Sequence, residues 1–397
     1  MDMQQLVNQF IEKVSAWEES QIGQTSGFEW ERSFDQMWTE VGREVLQASL
    51  NSSPQPSRDK KTIRTKYGIV AAPRSHAFFH VGGGFRVSSY LQYLGCYLGQ
   101  QEIFDEASRS LEMLTGQQLD PKQIERMCHH YGAELEAELQ AKIQSGETLA
   151  YSEKQVDSVF YAMLDGANFM TRESGWKEVK LGRIFQAAQH FELSEQRNWI
   201  RDSIYVAHYG DYRTFLEKFE YCIHSLKQLV IIADGAPWIW EWAEANFPDQ
   251  IQILDFFHAM EHLCKFAKLF FKEEEIRKTW IEEQKEALLN DKVGEVIAEL
   301  KNLPKTRSQA KEDEKQRLIR YYEKNKKRMM YKSFREKGLM IGSGPIESAH
   351  RSVLQKRLKL SGQRWSNKGL QAMANLRTLD KSGKWKEMIR LTQKMAA

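Results

Sequence analysis

Three acidic residues define the chemistry open to this chain. Asp165 closes the segment VDSVFYAMLD and Asp234 closes QLVIIAD, each an apolar run that ends on a carboxylate followed at once by glycine (Gly166, Gly235). Glu347 lies in GLMIGSGPIESAH, two residues after Pro345, a placement that reads as the first turn of a helix. Two carboxylates held close together repel and raise each other's pKa unless a cation lies between them. A hard cation with oxygen ligands, Mg2+ or Mn2+, relieves that repulsion, and a third carboxylate is needed to hold two such ions. Singly, each residue has a plainer reading: Asp-Gly is a common turn pair, and a first-turn Glu complements a helix dipole. Two Asp-Gly pairs at the ends of core strands shift the balance toward a site.

The elements that must position these acids can be read from periodicity. Residues 1–50 are helical in pattern, with Leu6, Phe10, Ile11, Val14 and Trp17 recurring at three- and four-residue steps. NSSPQPSRDKK (51–61) is a linker, Thr62–Val70 a strand, Gly82–Gly84 a turn and 87–147 helical again. From about residue 156, VDSVFYAML, WKEVKLGRIF and SIYVAHY read as strands and 211–226 as a helix. QLVIIAD reads as a strand buried on both faces, Pro237 opens a helix, and IQILDFF is a fifth strand. Beyond His258 the chain is helical apart from breaks at Leu303-Pro304 and Gly338–Pro345. The order β-β-β-α-β-α-β predicts a five-stranded mixed sheet covered on both faces, an α/β core of RNase H-like type. There the first and fourth strands are neighbours, which brings Asp165 and Asp234 to one edge.

Composition excludes several classes. Hydrophobic residues make up 41% and charged residues 28% of 397, the balance of a globular chain with more than one core. No apolar run approaches the roughly 20 residues that span a bilayer, so no membrane partner is expected. MDMQQLVNQF lacks the pattern of a secretory signal, which points to the cytoplasm. Cys96, Cys128, Cys222 and Cys264 never form a C-x-x-C pair. The net charge of +3 conceals an asymmetry: residues 301–397 carry 26 Lys or Arg against 8 Asp or Glu, while 1–300 carry 31 against 46. A basic third suggests a polyanion such as nucleic acid, although solvated lysines on exposed helices would give the same count.

Five stretches carry a resemblance to a known family: YAMLDGANFMTRESGWKEVKLGRIF, VIIADGAPWIWEWAEANFPD, IQILDFFHAMEHL, GLMIGSGPIESAHRSVLQKRLKLSGQRWS and GLQAMANLRTLDKSGKW. Together they span about 156–385 and resemble the DDE transposases of bacterial insertion sequences, the ISKra family in particular and Mutator-like elements more distantly. The resemblance implies catalytic and metal-holding roles for Asp165, Asp234 and Glu347, separated by 69 and 113 residues. It also implies an Asp-x-x-His element, matched by Asp255 and His258, that supports a metal-bound carboxylate or orients DNA. The reaction implied is DNA transposition with two Mg2+ or Mn2+ ions: strand cleavage at the element ends, then strand transfer. The partners are terminal inverted repeats, target DNA and further copies of the chain, a dimer or larger, in a bacterial cytoplasm and on the nucleoid when bound.

Around these acids, Arg351, Lys356, Arg357, Lys359, Arg364 and Lys368, interleaved with Trp365, are placed to hold phosphates. A second basic run, KNKKRMMYKSFREK, either tracks DNA or is a solvated face. Trp238 and Trp242 share a helix face and read as core; Trp176 opens the second strand with no chemistry assigned to it. His258, His262 and Cys264 share a helix but offer no fourth ligand, which argues against zinc, and Cys128-His129-His130 reads as an exposed helix end. Many relatives carry paired cysteines near the N-terminus; here only Cys96, with His76 and His80, stands in that stretch. The expected organisation is a helical segment 1–50, a linker 51–61, a DNA-end-recognition region 62–150, the first part of the core 151–257, a helical insertion 258–340, and the catalytic-Glu helix with basic C-terminal helices 341–397. Two competing functions use the same residues: a nuclease or resolvase that cuts without joining, and a domesticated DNA-binding regulator.

Overall fold

QLVIIA is apolar at nearly every position, and in the computed structural model it forms a strand whose side chains are buried from Leu229 to Ala233. The structure describes residues 3–51, 60–73, 84–194 and 197–393. Most of the expected linker 51–61, the glycines at 82 and 83, His76 and His80 lie outside them. Among the described residues no helix is long and apolar enough to cross a membrane.

The chain divides into two units. The first comprises 1–137, 375–380 and 384–397. Its helices α1 (Met3–Ser20) and α2 (Gly27–Asn51) form a hairpin through Phe10–Trp38 and Trp17–Trp30 ring contacts. The expected single strand at 62–70 is two, β1 (Lys60–Thr65) and β2 (Gly68–Pro73). The reversal comes from Thr65, whose Oγ1 accepts from Tyr67 N at 3.1 Å and donates to Gly68 O at 2.8 Å, with Gly68 at φ +112°. Helices α3 (Ser89–Gln101), α4 (Phe104–Thr115) and α5 (Pro121–Gln144) follow. Cys128 is fully buried in mid-α5, so Cys128-His129-His130 is not a helix end.

The second unit, 138–374 and 381–383, holds all three acids. After α6 (Glu153–Val156) come β3 (Val159–Thr171), β4 (Gly175–Gln186), β5 (His190–Ser194), β6 (Arg197–Ile200), β7 (Ile204–Tyr209), α7 (Tyr212–Ile223), β8 (Gln228–Ala233), α8 (Pro237–Asn246) and β9 (Ile251–Leu254). Five strands make one mixed sheet in the order β7-β4-β3-β8-β9, antiparallel across β7-β4-β3 and parallel across β3-β8-β9. The hairpin β5–β6 is an addition that the sequence pattern does not announce. Adjacent residues of β4 show both faces covered: Gly182 faces Phe219 of α7, and Arg183 donates to Pro345 O at 2.8 Å.

Between β9 and Glu347 the chain is helical: α9 (Phe256–Phe270), α10 (Glu274–Leu289), α11 (Val293–Asn302), α12 (Gln309–Asn325) and α13 (Tyr331–Glu336). Tyr322 joins α12 to α9 by donating to Ala259 O at 2.9 Å. Helix α14 (Gly344–Ala349) carries Glu347 and runs through a π-helical stretch (His350–Gln355) into α15 (Lys356–Leu358). Helix α16 (Asn367–Lys381) begins in the second unit, and α17 (Glu387–Gln393) belongs to the first.

Candidate functional site

The register fixes the first two acids. The last parallel pairs are Leu164↔Ala233 and Ala233↔Leu254, so Asp165, Asp234 and Asp255 follow at one level on three adjacent strands. The expectation that Asp165-Gly166 ends its strand needs correction: β3 continues to Thr171 because β4 stays paired with it, and Gly166 sits in the ladder opposite Lys180. A side chain at Gly166 would collide with the carboxylate of Glu178, and one at Gly235 with the ring of Tyr321. The two glycines thus admit neighbours to the site.

Asp165 Oδ1 accepts from Gly166 N at 2.7 Å, and Oδ2 lies 3.5 Å from His350 Nε2. Asp234 Oδ1 accepts from Ala236 N at 3.0 Å, and its carbonyl accepts from Trp240 Nε1 at 2.8 Å. Burial pushes the Asp234 carboxyl above its ordinary range, with Asp165 and Glu178 adding to the shift against Ala236 N and His258. His350 is 3% exposed, and neither ring nitrogen makes a hydrogen bond of ordinary geometry among the described residues. Burial pushes its pKa down, opposed by Asp165 and Glu178.

Glu347 is exposed in the first turn of α14. Four contacts fasten the preceding loop and the start of α14 to the sheet and to the start of α9. Met340 N donates to Tyr161 Oη at 3.0 Å, Phe256 N to Ile341 O at 2.9 Å, Ser343 N to Asp255 Oδ2 at 3.2 Å, and Arg183 Nη1 to Pro345 O at 2.8 Å. Ser343 Oγ also bonds Asp255 Oδ2, while Asp255 Oδ1 accepts from Phe257 N at 2.7 Å as the cap of α9. Asp255 is completely buried and acts first as the clasp for this loop. His258 Nε2 lies 4.0 Å from Asp255 Oδ2 and Nδ1 3.5 Å from Glu261 Oε2.

Donor atoms of Asp255, His258 and Glu347 all lie within 4.8 Å of one another, a grouping that could hold a metal ion. His258 also weighs on the charge of Asp234, and His350, three residues after Glu347, reaches Asp165. The donor set of carboxylates and imidazole suits a hard divalent cation. His262 instead packs against Tyr321, ring centroids 4.5 Å apart and tilted by 41°, and Cys264 is exposed.

A family model, an uncharacterised protein family (UPF0236), matches residues 100–395. The chain belongs to UPF0236. No curated protein matches it.

Of the basic residues expected to meet phosphate in this UPF0236 chain, Arg351, Lys356, Lys359, Arg364 and Lys368 are exposed. Two expectations change. Arg357 is 1% and Trp365 5% exposed, and they stack on each other at 5.1 Å. The pair builds the loop rather than meeting a ligand. In the second basic run, Arg328 is buried over the ring of Trp240 at 4.5 Å, donates to Gln252 Oε1 at 3.0 Å and pairs with Glu244. Trp240, not Trp238, is the more buried tryptophan of α8; Trp238 packs on Tyr212 and Phe215. Sequence reasoning missed Glu178, Tyr321 and Trp240.

Proposed function

We propose that this chain is a DDE-type DNA transposase on an RNase H-like core, cutting DNA at insertion-sequence ends and joining the freed ends to target DNA. The observation that carries the reading is the shared level of Asp165 and Asp234 on adjacent parallel strands, with Glu347 held toward the same edge by a loop fastened at four points. The strand order supports the fold, and Asp165 adds to a rise in the Asp234 pKa whose largest cause is burial.

Asp165, Asp234 and Glu347 would hold two Mg2+ or Mn2+ ions, with His258 and Asp255 beside Glu347. When bound, such ions activate water and stabilise the attacking and leaving oxygens of an in-line displacement. In the first step water forms a bond to phosphorus as the bond to O3′ breaks, leaving a 3′-hydroxyl. In the second step that hydroxyl attacks a target phosphodiester, and the target's own 3′-oxygen leaves with the proton. His350 Nε2 lies 3.5 Å from Asp165 Oδ2, and burial lowers the pKa of the imidazole against the pull of Asp165. Arg351, Lys356 and Lys368 are exposed in the segment that follows Glu347 and suited to flanking phosphates. Terminal inverted repeats, target DNA and a second copy of the chain are the partners, in the bacterial cytoplasm.

The test is a strand-transfer assay with Mg2+ or Mn2+ and DNA carrying the inverted repeats that flank the coding region. Joined products that disappear with Asp234→Asn support the reading, and cleavage retained by that variant sinks it. Cleavage without joining favours a nuclease, and binding without cleavage a regulator.

A further inference from the structure

Trp176 is the aromatic residue that the reaction leaves without a task. It stands at the tip of the β3–β4 hairpin opposite Met170, and it is 59% exposed. The tip is not loose. Trp365 N donates to Met170 O at 3.4 Å, Arg172 N to Trp365 O at 2.8 Å, and Arg172 Nε to Arg364 O at 3.3 Å. Hairpin and loop thereby frame a cavity of about 350 Å3, lined by Met170, Trp176 and the stretch from Leu358 to Arg364. That volume lies within the range of small-ligand sites.

The walls have a definite chemistry. Met170, Leu358 and Leu360 are apolar, Trp176 offers a wide ring, and Lys359 and Arg364 are exposed cations at the rim. The Lys359 ammonium sits 5.7 Å from the Trp176 ring centroid and 5.9 Å from that of Phe169. Nearby acids are engaged elsewhere: Glu173 Oε2 accepts from Asn367 N at 3.0 Å, and Glu178 pairs with Lys180 at 2.7 Å. Lys359 ends the helical run that carries His350, whose Nε2 lies 3.5 Å from Asp165 Oδ2, so cavity and carboxylates are joined by one short element. An aromatic platform with cations and no free acid matches what single-stranded nucleic acid requires.

We propose that this cavity receives one unpaired nucleotide of a DNA strand, its base against Trp176 and its flanking phosphates on Lys359 and Arg364. The proposal deepens the transposase reading, because an unpaired nucleotide next to the acids is what a cut or melted element end presents. Its test uses binding alone, without metal, so it stands or falls apart from strand transfer.

The full chain is titrated with an oligothymidylate of about 16 nucleotides, a length a single-strand site can cover, and with a blunt duplex. Trp176→Ala weakens oligothymidylate binding about tenfold, the loss expected for one base stack, and leaves the duplex unchanged. A 2-aminopurine in the oligonucleotide is quenched by the wild type and not by this variant. Lys359→Ala reduces the salt slope of binding by about one phosphate. Should Trp176→Ala fail to fold, Trp176→Phe retains the affinity and Trp176→Leu loses it. Equal affinity of wild type and Trp176→Ala, or of the Phe and Leu variants, overturns the proposal, as does tighter binding of the duplex than of the single strand.

Discussion

Asp165 and Asp234 on one side, and Asp255 on the other, end at the same level of one sheet in opposite surroundings. Asp255 is wholly buried, and both its oxygens accept hydrogen bonds from Phe257 and Ser343. Asp165 and Asp234 are half-buried, and each takes one short-range bond on a single oxygen, from Gly166 N and from Ala236 N. A buried carboxylate with its lone pairs occupied is a structural fastener. One that is partly desolvated and faces another anion, as Asp234 faces Asp165, costs stability unless something further arrives. Level on the sheet alone therefore does not separate the three aspartates; burial and the number of hydrogen bonds each accepts do.

That contrast can be broken by mutation. The largest effect expected is on activity: Asp234→Asn or Asp165→Asn lowers metal-dependent cleavage by about 10³-fold or more, the scale of several kcal/mol of transition-state stabilisation. Circular dichroism should show both variants folded. Asp255→Ala acts first on folding, with a loss of about 3 kcal/mol in urea melts, because it orphans the Ser343 and Phe257 donors. Next comes Gly235→Ala, about 2 kcal/mol from crowding the Tyr321 ring. Gly166→Ala costs less, since the Glu178 chain end can swing away.

The smallest effect sharpens the contrast by pH. Burial holds the folded pKa of Asp234 above its unfolded value, so the folded state binds more protons between the two. In chelator, wild-type stability falls as pH rises from about 3.9, the ordinary Asp value, through the raised folded value. Asp234→Asn lacks that fall, so the two stability curves diverge as pH rises. Parallel curves would remove Asp234 from the strained pair.

Part of this arrangement was legible in the sequence. The uninterrupted QLVIIA run announced a central strand, and strand order then made Asp165 and Asp234 neighbours. Asp165-Gly166 misled as a turn, because only the length of the partner strand β4 decides whether the ladder continues. Glu178 was hidden for the same reason: its place depends on register across the hairpin. Arg357 and Trp365 looked like part of a phosphate-holding cluster, since a cation near an aromatic has the same sequence signature buried or exposed. The β5–β6 hairpin escaped because its reversal carries no Asn-Gly or Asp-Gly pair.

The clasp between Asp255 and Ser343 joins positions 88 residues apart, and the Tyr161–Met340 bond spans 179. Closing loops of that length has an entropic cost that is recovered only when both ends are present. As the chain emerges from the ribosome, every sheet strand is complete by Leu254, while Glu347 follows only after five helices have been made. A nascent chain, or one cleaved within those helices and separated, carries two carboxylates without the third. The fold thereby keeps the third carboxylate from joining the other two until the helices between them have been made.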